Sequence, residues 1–119
     1  MKGIGKKAQE SNQYLVLCIA EMESYVRMYQ HRLVAGIIIL ANRIDDSRIE
    51  EAYKMKVPIV LIPGDTLRPA LPSVDVDNLE GAFKAVEHLV KLGHRRIAFL
   101  GGPMNSKYSI ERFAGYVKP

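Results

Sequence analysis

With 119 residues, 48% of them apolar and 25% charged, the chain has the length and composition of one soluble globular domain, which excludes a disordered or collagen-like polymer and two independent domains. The formal net charge of +4 comes from cations interleaved with anions, so no basic face of the kind that grips nucleic acid declares itself. The single cysteine, Cys18, excludes an intrachain disulfide and fits a reducing compartment, so the cytoplasm is the expected location.

The basic start, residues 1–7, runs into the polar stretch 8–13 instead of the apolar core of an export signal, and a helix is expected over 2–11. Residues 14–20 are rich in Val, Ile and Leu and read as a buried strand, which makes Cys18 a core residue rather than a nucleophile. A helix over 22–33 would place Met22, Tyr25, Val26, Tyr29 and Leu33 on one face. A second buried strand follows at 34–40. The apolar run that contains it, 33–41, has about half the length a membrane-spanning helix needs, so no membrane partner is expected.

A helix over 48–55 follows the capping pair Ser47 and Glu50, and a third strand is expected at 57–62. Pro63, Pro69 and Pro72 then interrupt any regular element, which marks 63–72 as a linker or a crossing. After a short extended piece at 73–76 comes the clearest helix, 78–92, with Leu79, Ala82, Phe83, Val86, Leu89 and Val90 at three- and four-residue spacings. Asp77 with Glu80 would cap its start, and Gly93 stands just past its end. A fourth strand at 96–100 and a helix at 106–116 complete the alternation. The pattern is that of an α/β protein, a parallel sheet flanked by helices.

Chemistry-bearing residues are sparse. Asp75 and Asp77 would face the same side of a strand, as paired carboxylates for acid–base work or a metal must, but no further ligands accompany them and Asp77 is accounted for as a helix cap. His94 follows a helix end, where a cation complements the helix dipole, and His31 and His88 lack partners at ligand spacing. Gly101-Gly102-Pro103, between an apolar run and a helix, is where open α/β sheets place ligands, yet it is neither a dinucleotide fingerprint nor a phosphate-binding loop. No nucleophile elbow, metal set or cofactor motif occurs, so the chain is not expected to be an enzyme.

Taken in order, Ser73-Val74-Asp75-Val76-Asp77-Asn78, Gly81-Ala82, Glu87-His88-Leu89, the run from Leu92-Gly93-His94-Arg95-Arg96 to Phe99, Gly101-Gly102-Pro103, and Glu111-Arg112-Phe113-Ala114-Gly115-Tyr116 resemble the LacI/GalR family of bacterial transcription regulators. Upstream, Lys2-Gly3-Ile4, Val34-Ala35-Gly36-Ile37-Ile38-Ile39 and Val57-Pro58-Ile59-Val60-Leu61-Ile62 extend the resemblance over essentially the whole chain. It implies a periplasmic-binding-protein-like effector module of two α/β subdomains with a small molecule, a sugar or a related compound, in the cleft between them. Residues 1–72 would supply most of the first subdomain and 73–119 the crossing strand and the opening of the second. The family's helix-turn-helix and first sheet strand would lie before Met1. The resemblance further implies a homodimer that reaches operator DNA only through that helix-turn-helix, as a repressor-type regulator.

Arg112 matches the family arginine that reaches into the cleft, and its planar fork of donors suits two ligand oxygens at once. Tyr108 and Asn105, near the start of the same helix, are the other candidate ligand contacts; covering apolar surface and capping a turn are their structural alternatives. Ala35 and Pro63 depart from the family pattern, each standing where an Asp is common. Two other functions fit the same residues: a stand-alone sugar-binding protein of the periplasmic type, and a fragment that modulates dimer formation through unsatisfied strand edges.

Overall fold

Ile37–Leu40 (β1) and Ile59–Ile62 (β2) pair in parallel with Ile37 opposite Ile59, so the two apolar runs that join a ladder are those read from the middle of the sequence. The computed structural model describes residues 1–19, 24–40, 42–64 and 70–118. Around the sheet stand Lys2–Glu10 (α1), Tyr25–Gln30 (α2) and Ser47–Lys54 (α3), followed by Asn78–Lys91 (α4) and Lys107–Val117 (α5). The segment from β2 to α4 rejoins the sheet where Ser73 forms a parallel bridge with Leu61, with Leu61 N–H donating to the Pro72 carbonyl and Val74 N–H to the Leu61 carbonyl, both at 3.0 Å.

Alternation along β2 sends Ile59 and Leu61 into a core shared with Ile39 of β1, Val26 of α2, Ile49 and Ala52 of α3, and the loop residues Val57 and Leu71. The opposite face is thinly covered. Ile38 and Leu40 are exposed, and α1 buries none of its residues.

Two expected strands do not form. Residues 14–19 join no ladder among the described residues, and Tyr14 and Ile19 are 99% and 89% exposed. Residues 96–100 likewise form no strand, and Leu100 is fully exposed. Apolar composition gives a segment the propensity to be buried, but a strand also needs a neighbour for its N–H and C=O groups, and neither run has one here. Cys18 is accordingly an exposed thiol and not a core residue. Ala20 and Met22, in the predicted strand at 14–20 and helix at 22–33, lie outside the described residues.

Helix starts and stops follow local chemistry. Asp77 caps α4 as expected, accepting the Glu80 N–H at 2.8 Å. For α3 the cap is Asp46 rather than Ser47: Asp46 accepts the Arg48 N–H at 3.0 Å and is gripped twice more by the Arg48 guanidinium, at 2.8 and 2.7 Å. A bidentate arginine outbids a serine hydroxyl for that position.

Helices α1 to α4 all end in the same device. The residues after the C-caps, Asn12, Arg32, Lys56 and Gly93, take positive φ. In each case that residue and the next return their N–H groups to the helix, as Gly93 to Val90 and His94 to Leu89 do at 2.9 and 3.1 Å. Glycine stands at only one of the four.

Helix α5 lies against α4, and the contact requires a missing side chain. A Cβ at Gly115 would overlap the Leu79 carbonyl oxygen and come within 2.9 Å of the Ala82 Cβ. Phe99, Phe113 and Tyr116 gather beside this contact, with ring centroids 5.0 to 6.2 Å apart, and the Tyr116 hydroxyl donates to the Ile97 carbonyl at 2.8 Å.

Candidate functional site

The polar residues collect beyond the C-terminal ends of β1 and β2, where an open parallel sheet leaves its crevice. Asp75, on the crossing from β2 to α4, is the hub. Its Oδ2 accepts the Gly64 N–H at 3.3 Å from the loop after β2 and the Lys107 ammonium at 2.9 Å from the first turn of α5. Its Oδ1 accepts the Val76 N–H at 2.8 Å and the Asn78 amide at 3.1 Å. Lys107 also pairs with Glu111 at 2.7 Å. Partial burial pushes the Asp75 carboxyl up, but the hydrogen bonds from Lys107, Val76 and Gly64 and the lysine's charge outweigh it and hold it below the ordinary 3.8. Lys107 moves the other way, raised by its bonds to Glu111 and Asp75.

Next to this hub the first residue of α4, Asn78, is 5% exposed and accepts the Arg112 Nε–H on Oδ1 at 2.9 Å. The guanidinium carbon stands 5.2 Å from the centre of the Tyr108 ring. Among the described residues the Arg112 Nη groups make no hydrogen bond, and the residue is exposed.

The sequence candidates Arg112 and Tyr108 are therefore adjacent, on the same face of α5. Asn105 is placed differently: it is exposed, and its backbone carbonyl accepts the Ile44 N–H at 2.8 Å, joining the loop before α5 to the loop after β1. Asp75 and Asp77, read as a same-face carboxylate pair, are engaged separately, one with Lys107 and the other as the α4 cap. His31 and His88 are exposed. No cluster of three or more metal-binding side chains occurs among the described residues.

Three residues escaped the sequence reading. Asn78 and Lys107 carry no local signal, because their partners lie on a different element. Asn42, two residues beyond β1, is 6% exposed with its Oδ1 lacking a hydrogen-bond partner among the described residues; a polar residue directly after an apolar run was the available hint. Two cavities lie elsewhere. One of about 660 Å³ lies between residues 13–19 and β1, and one of about 850 Å³ between α1 and the sheet; Arg112 lines neither. Both follow from unpaired or thinly covered sheet surface.

A parallel pair of strands with helices packed about it, joined to a helix pair that carries Asn78 and Arg112, is an α/β module. The chain belongs to the family described as periplasmic binding proteins and sugar binding domain of LacI family, whose profile matches residues 6–118. It is 28% identical over 121 aligned residues to the HTH-type transcriptional regulator MalR of Streptococcus pneumoniae serotype 4, an alignment covering 98% of this chain and 37% of that regulator. Among solved structures it is similar to a transcriptional regulator assigned to LacI from Bacillus cereus subsp. cytotoxis NVH 391-98, with 32% identity and a TM-score of 0.87 over 97% of this chain and 43% of the other. It also resembles the transcriptional regulator CelR in complex with cellobiose, at 31% identity and a TM-score of 0.73, covering 96% of this chain and 37% of that one. The chain thus spans well under half the length of these relatives. No helix among the described residues is long and apolar enough to cross a membrane.

Proposed function

We propose that the chain is the effector-sensing part of a LacI-type transcriptional regulator and that it binds a sugar, with Arg112 as its principal ligand contact and Tyr108 and Asn105 beside it. The observation that carries this reading is the guanidinium of the exposed residue Arg112, tethered at Nε with both Nη groups making no hydrogen bond among the described residues. Such a fork suits a pair of sugar hydroxyls. Residues 1–72 belong to one subdomain and 73–119 to the crossing and the start of the second, so closure about the crossing would be the event that the sugar controls. Operator DNA is contacted as a homodimer through a helix-turn-helix outside residues 1–119, in the cytoplasm, and no reaction is catalysed. Similarity to regulators such as MalR and CelR favours this reading over a stand-alone periplasmic sugar binder.

The test is a thermal-shift titration with cellobiose and a panel of other mono- and disaccharides. The wild-type chain is expected to melt higher with at least one sugar, and Arg112→Ala to melt normally without sugar and show no rise with it. An equal rise in both proteins would remove Arg112 from the site.

A further inference from the structure

We infer that Asn78 is a positioning residue for Arg112: its buried carboxamide holds the guanidinium by Nε alone and leaves the two Nη groups to meet a pair of ligand oxygens. The inference rests on Arg112 facing the ligand and adds what aims it.

The carboxamide has one workable orientation. Its Nδ2 donates to Asp75 Oδ1 at 3.1 Å and to the Val76 carbonyl at 3.2 Å, which uses both hydrogens, and its Oδ1 receives Arg112 Nε–H at 2.9 Å. Turned over, the amide would set its oxygen against two acceptors and its NH₂ against a donor. Asp75 therefore fixes the amide, and the amide fixes the arginine. Because the Asn78 partner is neutral, the guanidinium's charge is not spent on it. A carboxylate in the same place would draw the fork into a two-armed ion pair and occupy the groups a ligand needs.

The helices supply the rest of the alignment. Gly115 lies one turn beyond Arg112 and meets Leu79 and Ala82 in the first turns of α4, so the close contact of the two helices sets the arginine opposite Asn78. Tyr108, one turn earlier, supports the guanidinium from its ring face. Lys107, by contrast, is neutralised between Asp75 and Glu111, whereas the Arg112 Nη groups make no hydrogen bond among the described residues.

Nitrogen-resolved NMR of the arginine side chains in the 119-residue chain tests this without a sugar. The Arg112 Nε–H signal, identified by its loss in Arg112→Lys, is expected to exchange slowly with water in the wild type. In Asn78→Ala and in the near-isosteric Asn78→Leu it should exchange at least about tenfold faster while circular dichroism shows the helices intact. Unchanged exchange in the folded variants would overturn the inference; two substitutions are used so that one unstable variant does not decide it. With cellobiose as probe, calorimetry should show binding weakened about tenfold by Asn78→Leu. If Arg112→Ala binds cellobiose as the wild type does, the ligand-facing reading of Arg112 fails, while the exchange measurement still judges Asn78.

Discussion

The sheet region and the α4–α5 pair are held together by different chemistry. Around β1 and β2 the interior is aliphatic, with Ile49 and Leu61 fully buried and Asp46 closing the α3 end. In α4 and α5 the buried residues are Asn78, Ser109 and Gly115, while the apolar positions of α4 are at best half-buried. Aliphatic burial supplies stability without direction. A satisfied polar network supplies less net stability but only one geometry, as a site that must aim an arginine requires. The region that supports the fold and the region that supports the chemistry are thus largely separate, and substitutions should separate them.

The largest effect is expected from Leu61→Ala, which leaves a cavity in the aliphatic interior and should lower unfolding free energy by about 2–5 kcal/mol in urea titration. Leu89→Ala, at a half-buried position on α4, should cost clearly less. Equal costs would break the contrast between the two regions.

Adding a methyl group is the complementary probe. Gly115→Ala places a Cβ against the Leu79 carbonyl and should cost about 1–3 kcal/mol, and separation of the helices should disturb Arg112 as well. The same change at Gly81, where a Cβ meets nothing within 4 Å, should be harmless or slightly stabilising in a parallel melt.

Acid sharpens the comparison further. Hydrogen bonding from Arg48 holds the Asp46 carboxyl below its ordinary 3.8, against the opposing effect of burial, and Asp75 is also lowered. A depressed carboxylate stabilises the fold fully above its unfolded pKa, and that contribution disappears as the pH falls through the lower folded value. Urea midpoints should therefore hold near neutrality and drop below about pH 4. Asp46→Asn should flatten the acid limb more than Asp75→Asn, because the Asp46 side chain is 4% exposed and that of Asp75 is 20% exposed.

The smallest effect concerns helix ends. Lys56 holds positive φ at the end of α3, and Lys56→Gly should stabilise by up to about 1 kcal/mol, read as a raised melting temperature.

What could be read from the sequence follows the range of the interactions. The helix over 78–92, its Asp77 cap and its Gly93 terminator depend on neighbours a few residues away, and all three were legible. The runs 14–19 and 96–100 have the same aliphatic character as 37–40, and only pairing distinguishes a strand from an unpaired segment. The α3 cap was misplaced by one residue because Asp46 and Ser47 are both good caps and only the grip of Arg48 selects between them. In the site, Arg112 was visible through resemblance. Asn78 was not, since its role arises from the α4–α5 contact that Gly115 permits.

The most direct measurement is a backbone and side-chain NMR titration of the chain with cellobiose and the sugar panel. The account predicts saturable shifts centred on Asn42, Asn78, Asn105, Tyr108 and Arg112 for at least one sugar. An unchanged spectrum throughout, or shifts confined to residues 13–19 and β1 around the cavity there, would contradict it.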